Sequence, residues 1–181
     1  CQSCHMPVVE DSVAVTGVLG VERSDVSRHV FRGGNFFMLR ILNRYRDELG
    51  VVARPEEMTS TIRRTEAHLQ TSAARIGIVD SRAENGRLDA QLEVENLAGH
   101  KLPTAYPSRR AWIHLTVRDG EGRPVFESGA LRPDGSIVGN DNDEDPERYE
   151  PHHERIESEE RVQIYEPILV DPDGRVTTGL L

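Results

Sequence analysis

Apolar residues recur at near-helical intervals from Asn35 onward: Phe36, Phe37, Leu39, Ile41, Leu42, Tyr45 and Leu49, with arginines and acids between them. Gly50 is a natural stop, so the spacing predicts a first helix running to about Leu49. Pro55-Glu56-Glu57 reads as a proline-first helical turn with its acids set against the positive end of the helix dipole. Met58, Ile62, Thr65, Leu69 and Ala73 carry that face forward as a second helix. Residues 8–34 hold no sustained period and include Gly17, Gly20, Gly33 and Gly34, which predicts an irregular segment.

From residue 75 the pattern changes to alternation. Residues 75–79 and 87–95 flank Asn85-Gly86, a strong hairpin signal. Residues 111–117 and 124–127 flank Asp119-Gly120-Glu121-Gly122, and residues 161–166 and 175–178 follow, the last after Asp171-Pro172-Asp173-Gly174. Short strands with turn signals between them predict an immunoglobulin-like β-sandwich. The expected chain is therefore α+β: an irregular segment with two helices over residues 1–74, then an all-β domain over 75–181.

Composition narrows what such a chain does. Hydrophobic residues make up 36% of the 181, low for one large core, so a bound apolar group would supply missing apolar surface. A net charge of −9 argues against nucleic acid and against an anionic membrane surface as partners. No run approaches the ~20 apolar residues of a membrane span. Lys101 is the only lysine, so the basic charge is almost wholly arginine.

Both cysteines lie in Cys1-Gln2-Ser3-Cys4-His5. Two thiols separated by two residues, with histidine following at once, have the spacing at which a haem's vinyl groups form thioethers while the histidine ligates the iron. A redox CxxC needs a thioredoxin-like βαβ setting, and a structural zinc site needs four ligands; a plain disulfide is the remaining alternative. Thioether formation takes place outside the cytoplasm, so the motif predicts an exported protein, periplasmic or extracellular. The start at Cys1 and the strand-like run over 175–181 read as a segment of a longer chain.

His5 covers one face of the iron, and the second axial ligand must come from elsewhere. His29 is the first candidate, because Gly33 and Gly34 beside it permit close approach of backbone to a flat cofactor. His68 in the second helix, His100 in a loop held by Pro103 and Pro107, and His152 after Pro151 are further candidates for binding haem. His114 alternates with apolar neighbours in a strand and reads as structural, His153 as half of a surface pair, and Met38 and Met58 as core residues. Arginines are expected to pair with the haem propionates. Residues 139–145, Gly-Asn-Asp-Asn-Asp-Glu-Asp, are the densest oxygen-ligand run, but they lack the EF-hand spacing. A solvated acidic loop is expected there, with calcium as the alternative.

The segments Cys1-Gln2-Ser3-Cys4-His5-Met6-Pro7 and His29-Val30-Phe31-Arg32-Gly33-Gly34 resemble the Cys-x-x-Cys-His-Met-Pro and His-x-Phe-x-Gly-Gly stretches of the multihaem c-type cytochromes of bacterial respiratory chains. Gly99-His100-Lys101-Leu102-Pro103-Thr104 is similar to the Gly-His-x-x-Pro-Thr segment of cytochromes that append a β domain. The resemblance implies haem c, His29 as distal ligand, and other haems or cytochrome subunits as electron donor and acceptor. One haem motif stands here where that family carries several. Electron transfer through a bis-histidine haem is thus the leading expectation. The alternatives are an oxidoreductase acting on a small nitrogen or sulfur compound at an open haem, and a docking β domain whose N-terminal segment the haem staples.

Overall fold

A computed structural model of the chain describes residues 1–14, 16–104 and 109–177. It divides into two compact units, Cys1–Gly99 and His100–Leu181. Helices and antiparallel strands both occur, so the chain is α+β. Among the described residues the strands form four separate two-stranded sheets, and no helix is long and apolar enough to cross a membrane.

The first unit opens with a single helical turn, α1 (Gln2–His5). The segment expected to be irregular then folds back on itself. Strands β1 (Val13–Ala14) and β2 (Glu22–Arg23) pair antiparallel, and Val8 bridges Ser27. Backbone hydrogen bonds from Val9 N–H to Val26 C=O, Arg28 N–H to Pro7 C=O and Arg32 N–H to His5 C=O, each 2.9 Å, carry the pairing down to the N-terminal turn. The excursion thus delivers residue 32 back to residue 5.

Helix α2 (Phe36–Arg44) is capped by Asn35, whose side-chain oxygen accepts from Met38 N–H at 2.9 Å. It ends before the expected Leu49. Arg46 turns its guanidinium onto the carbonyls of Val51 and Ala53, and Val51 N–H closes on Arg46 C=O at 2.8 Å. These bonds satisfy the polar groups of a turn where further helix was expected. Helix α3 (Pro55–Ser72) follows its sequence signals closely: Pro55 leads it, and Glu57 Oε2 accepts from Arg54 N–H at 3.1 Å. Met58, Ile62 and Thr65 form its buried stripe, α2 packs on it, and Arg40 pairs with Glu66 between the two helices.

The change of texture expected at residue 75 falls inside this unit, where α3 gives way to β3 (Ala74–Glu84). β3 pairs antiparallel with β4 (Arg87–Asn96), with a register shift between Ile78 and Asp80. Asn85 and Gly86, at φ +53° and +75°, make the two-residue connection, since a hairpin of this type needs positive φ at both positions. Almost every residue of the ribbon is exposed, with Leu92 and Val94 half-buried.

In the second unit, β5 (Ala111–Trp112) pairs with β8 (Ile164–Tyr165), and β6 (Leu115–Arg118) with β7 (Pro124–Ser128). A single turn of helix, α4 (Asp141–Glu144), lies between β7 and β8. Ile137, Val162 and Ile164 form the core, with Trp112 packed against them. The indole of Trp112 donates to Gly129 C=O at 3.0 Å, so its polar atom is satisfied.

Candidate cofactor site

Winding residues 1–5 into one helical turn has a direct chemical effect. Cys1 caps α1, and His5 N–H donates back to Cys1 C=O at 2.9 Å. Positions three and four apart on a helix share a face, so the turn sets Cys1, Cys4 and His5 on one side. Both thiols are free and exposed.

His5 is held by two bonds to one residue. Its Nδ1 lies 2.5 Å from Arg32 C=O, and Arg32 N–H returns to His5 C=O at 2.9 Å. A carbonyl only accepts, so Nδ1 carries the proton and the lone pair of the neutral ring is on Nε2. Fixing the tautomer and ring orientation in this way is how proteins prepare an imidazole to ligate a metal.

The His5 ring lies beside that of His68 on α3, with centroids 6.0 Å apart and planes inclined by 59°. His68 Nδ1 is buried and has no hydrogen-bond partner. Burial, then the nearby Arg32 charge, then His5, hold its pKa below the ordinary histidine value, which keeps the ring neutral. Arg32 Nε is likewise buried without a partner.

The other sequence candidates lie in different surroundings. His29 is exposed and stacks on Phe31, centroids 5.9 Å apart and planes 10° from parallel. Met58 lies in the core, but Met38 is 47% exposed and contributes little to it. His100 is exposed and its Nδ1 lies 3.2 Å from Lys101 C=O, beside the cis peptide Leu102–Pro103. The continuation of that segment, Ala105, Tyr106, Pro107 and Ser108, lies outside the described residues, as does 178–181. His114 pairs with Glu127 across the β6–β7 hairpin at 2.8 Å.

Gln163 decides the state of His152. Its Oε1 accepts from His153 N–H at 2.9 Å, so its other end is the NH2 group, which donates to His152 Nδ1 at 2.7 Å. The proton of the neutral ring is then on Nε2, and neither nitrogen offers a lone pair to a metal. His153 bonds Glu150, which is 7% exposed. His152 is thus exposed as expected of a surface pair, while His153 is half-buried, and both rings are hydrogen-bonded.

Acids of the 139–145 run are engaged by arginines. Asp143 accepts from Arg110 at 2.7 Å and from Ile137 N–H at 2.8 Å, Glu144 pairs with Arg132 at 3.0 Å, and Asp141 pairs with Arg148. Among the described residues no group of three or more histidines, cysteines or acids is placed to hold a metal ion.

No family model, curated protein or solved structure matches this chain. Two thiols and one tautomer-fixed imidazole on a single turn, with a second neutral imidazole bearing an orphaned buried nitrogen beside them, fit a covalently held haem. Cys1, Cys4 and His5 are candidates already in the sequence, and His68 stands among the further ones. Arg32 is not among them, and its part is played by its backbone carbonyl.

Proposed function

We propose that this chain carries one c-type haem, joined through Cys1 and Cys4 and ligated by His5 and a second histidine, and transfers electrons as part of a larger multihaem cytochrome. The observation that supports this reading best is the His5–Arg32 pair of hydrogen bonds on the Cys-x-x-Cys-His turn. When bound, a haem supplies one-electron redox chemistry at its iron. The chain's own residues do the rest: Cys1 and Cys4 anchor, the Arg32 carbonyl orients the His5 ring, and α2 with α3 gives the segment a rigid support. In this reading the protein is exported to the periplasm or beyond, and other haems or cytochrome subunits are its redox partners. The second unit serves as a spacing or docking domain of immunoglobulin-like form. That shape is supported by Trp112 packed on Ile137, Val162 and Ile164, and by β5–β8 joining strands distant in sequence.

The test is production of the chain in a host that attaches c-type haem. Intact mass is expected to rise by one haem, the pyridine haemochrome spectrum to be that of a c-type haem, and the Cys1→Ser, Cys4→Ser double variant to lose both. Protein with free thiols or a Cys1–Cys4 disulfide, produced where a control cytochrome matures, would overturn the proposal.

A further inference from the structure

We propose that His68, and not His29, is the second axial ligand of the haem iron. The inference rests on the haem reading above and names the residue that completes it. An imidazole holds a metal at about 2 Å from the ligating nitrogen, which puts its ring centroid about 3 Å from the ion. Two imidazoles on opposite faces of one ion therefore have centroids about 6 Å apart. His5 and His68 are 6.0 Å apart.

Separation alone would also suit two rings in plain aromatic contact, which lie about 4.5–7 Å apart. What favours ligation is the polar accounting around them. A buried polar atom in a native structure almost always has a partner, and an orphan calls for a ligand, an ion or a water. His68 Nδ1 is such an orphan, in contact range of a histidine whose Nδ1 is already committed to Arg32. His68 is also mounted as a ligand should be. It sits three residues past Thr65, adjoining the buried stripe Met58, Ile62, Thr65 of an 18-residue helix that packs on α2. A side chain on a packed helix is positioned more accurately than one on a loop. His29 has no comparable mounting: it is exposed and its ring is stacked on Phe31 at 5.9 Å.

The experiment compares the haem-loaded full chain with His68→Ala and His29→Ala, each assayed by mass, visible spectrum and carbon monoxide binding. The wild type is expected to be six-coordinate, low-spin and indifferent to the gas. His68→Ala should keep its covalent haem, become high-spin and bind carbon monoxide, and added imidazole should restore the low-spin spectrum. His29→Ala should behave as the wild type. A His68→Ala protein that stays low-spin and ignores the gas, or a His29→Ala protein that binds it, overturns the assignment. Should His68→Ala fail to accumulate, His68→Met decides: thioether ligation raises the midpoint potential above that of the wild type, and an unchanged potential overturns the proposal. Absence of covalent haem from the wild type is a different result, because it removes the haem reading itself.

Discussion

Gly129→Ala tests the packing of the second unit at one atom. Gly129 has φ +75°, and a Cβ there would lie 2.5 Å from Ile113 O, 2.9 Å from Val162 Cγ2 and 3.2 Å from Trp112 Cδ1. Left-handed backbone costs a residue bearing a Cβ about 1–2 kcal/mol. Forcing a methyl into a filled core costs about 1–3 kcal/mol more, because neighbours must leave their rotamers or the backbone must shift. The nearest atom is a backbone oxygen, which yields least, so the expected loss is about 2–5 kcal/mol. Gly135 provides the control: its φ is +90°, and nothing lies within 4 Å of the added atom. Gly135→Ala should show only the conformational part, about 1–2 kcal/mol. Urea unfolding of the full chain followed by tryptophan fluorescence reports on this unit, since Trp112 is the only tryptophan. Equal losses for the two variants would refute the argument that Gly129 is required by contact with the core.

Asp143→Asn should cost about 1–3 kcal/mol in thermal or urea unfolding, because it leaves the half-buried Arg110 without its closer partner. Burial pushes the Asp143 carboxyl up, but the bonds from Arg110 and Ile137 N–H outweigh it and leave it below the usual carboxylate value. The stability it contributes is therefore present above the unfolded carboxylate range and lost as pH falls through the depressed folded value, and an Asp143→Asn protein with an unchanged acid limb would contradict this. Glu166 carries the opposite sign: burial raises its pKa despite Arg110 at 3.4 Å, and its Oε1 has no partner. Its contribution is most favourable below the unfolded value and is lost as pH rises through the folded one. Glu166→Gln should thus leave stability at neutral pH equal or higher, and a clear loss there would sink the reading. A calcium chelator should not move the melting temperature, given the arginine partners of residues 141, 143 and 144; a large fall would restore calcium to the acidic loop.

Local signals in this sequence translate directly into structure wherever one mechanism acts alone. Pro55 and the Met58–Ile62–Thr65 spacing yield α3, and Asn85-Gly86 yields the β3–β4 hairpin, because helix entry and a tight turn are decided by a few neighbouring residues. Helix α2 shows where periodicity misleads. Tyr45 and Leu49 keep the helical interval, yet they are 44% and 53% exposed, and the Arg46 guanidinium draws the chain into a turn. A side chain competing for carbonyls leaves no trace in a hydrophobic pattern. The candidate site divides along the same line. The Cys-x-x-Cys-His turn is local and legible. The approach of His68 to His5 depends on how α3 docks, and the orienting acceptor at Arg32 is a main-chain oxygen, which no inventory of side chains displays. The glycines beside His29 are a property of the backbone around it and do not specify which ring it faces, which in the structure is Phe31.

The β3–β4 ribbon is exposed along most of its length, and its ladder is cross-linked at the surface by pairs such as Arg75–Glu95. A segment that buries so little loses almost no hydrophobic free energy when it parts, so its opening is not tied to melting of the helices beside it. In hydrogen exchange its amides should become deuterated by local opening, well ahead of those around Met58, Ile62 and Thr65. A protease with a site in the ribbon should cut it while α3 is still intact. The ribbon is thus a separately melting arm of the first unit, whose lifetime in the closed state is set mainly by its turn and its ladder.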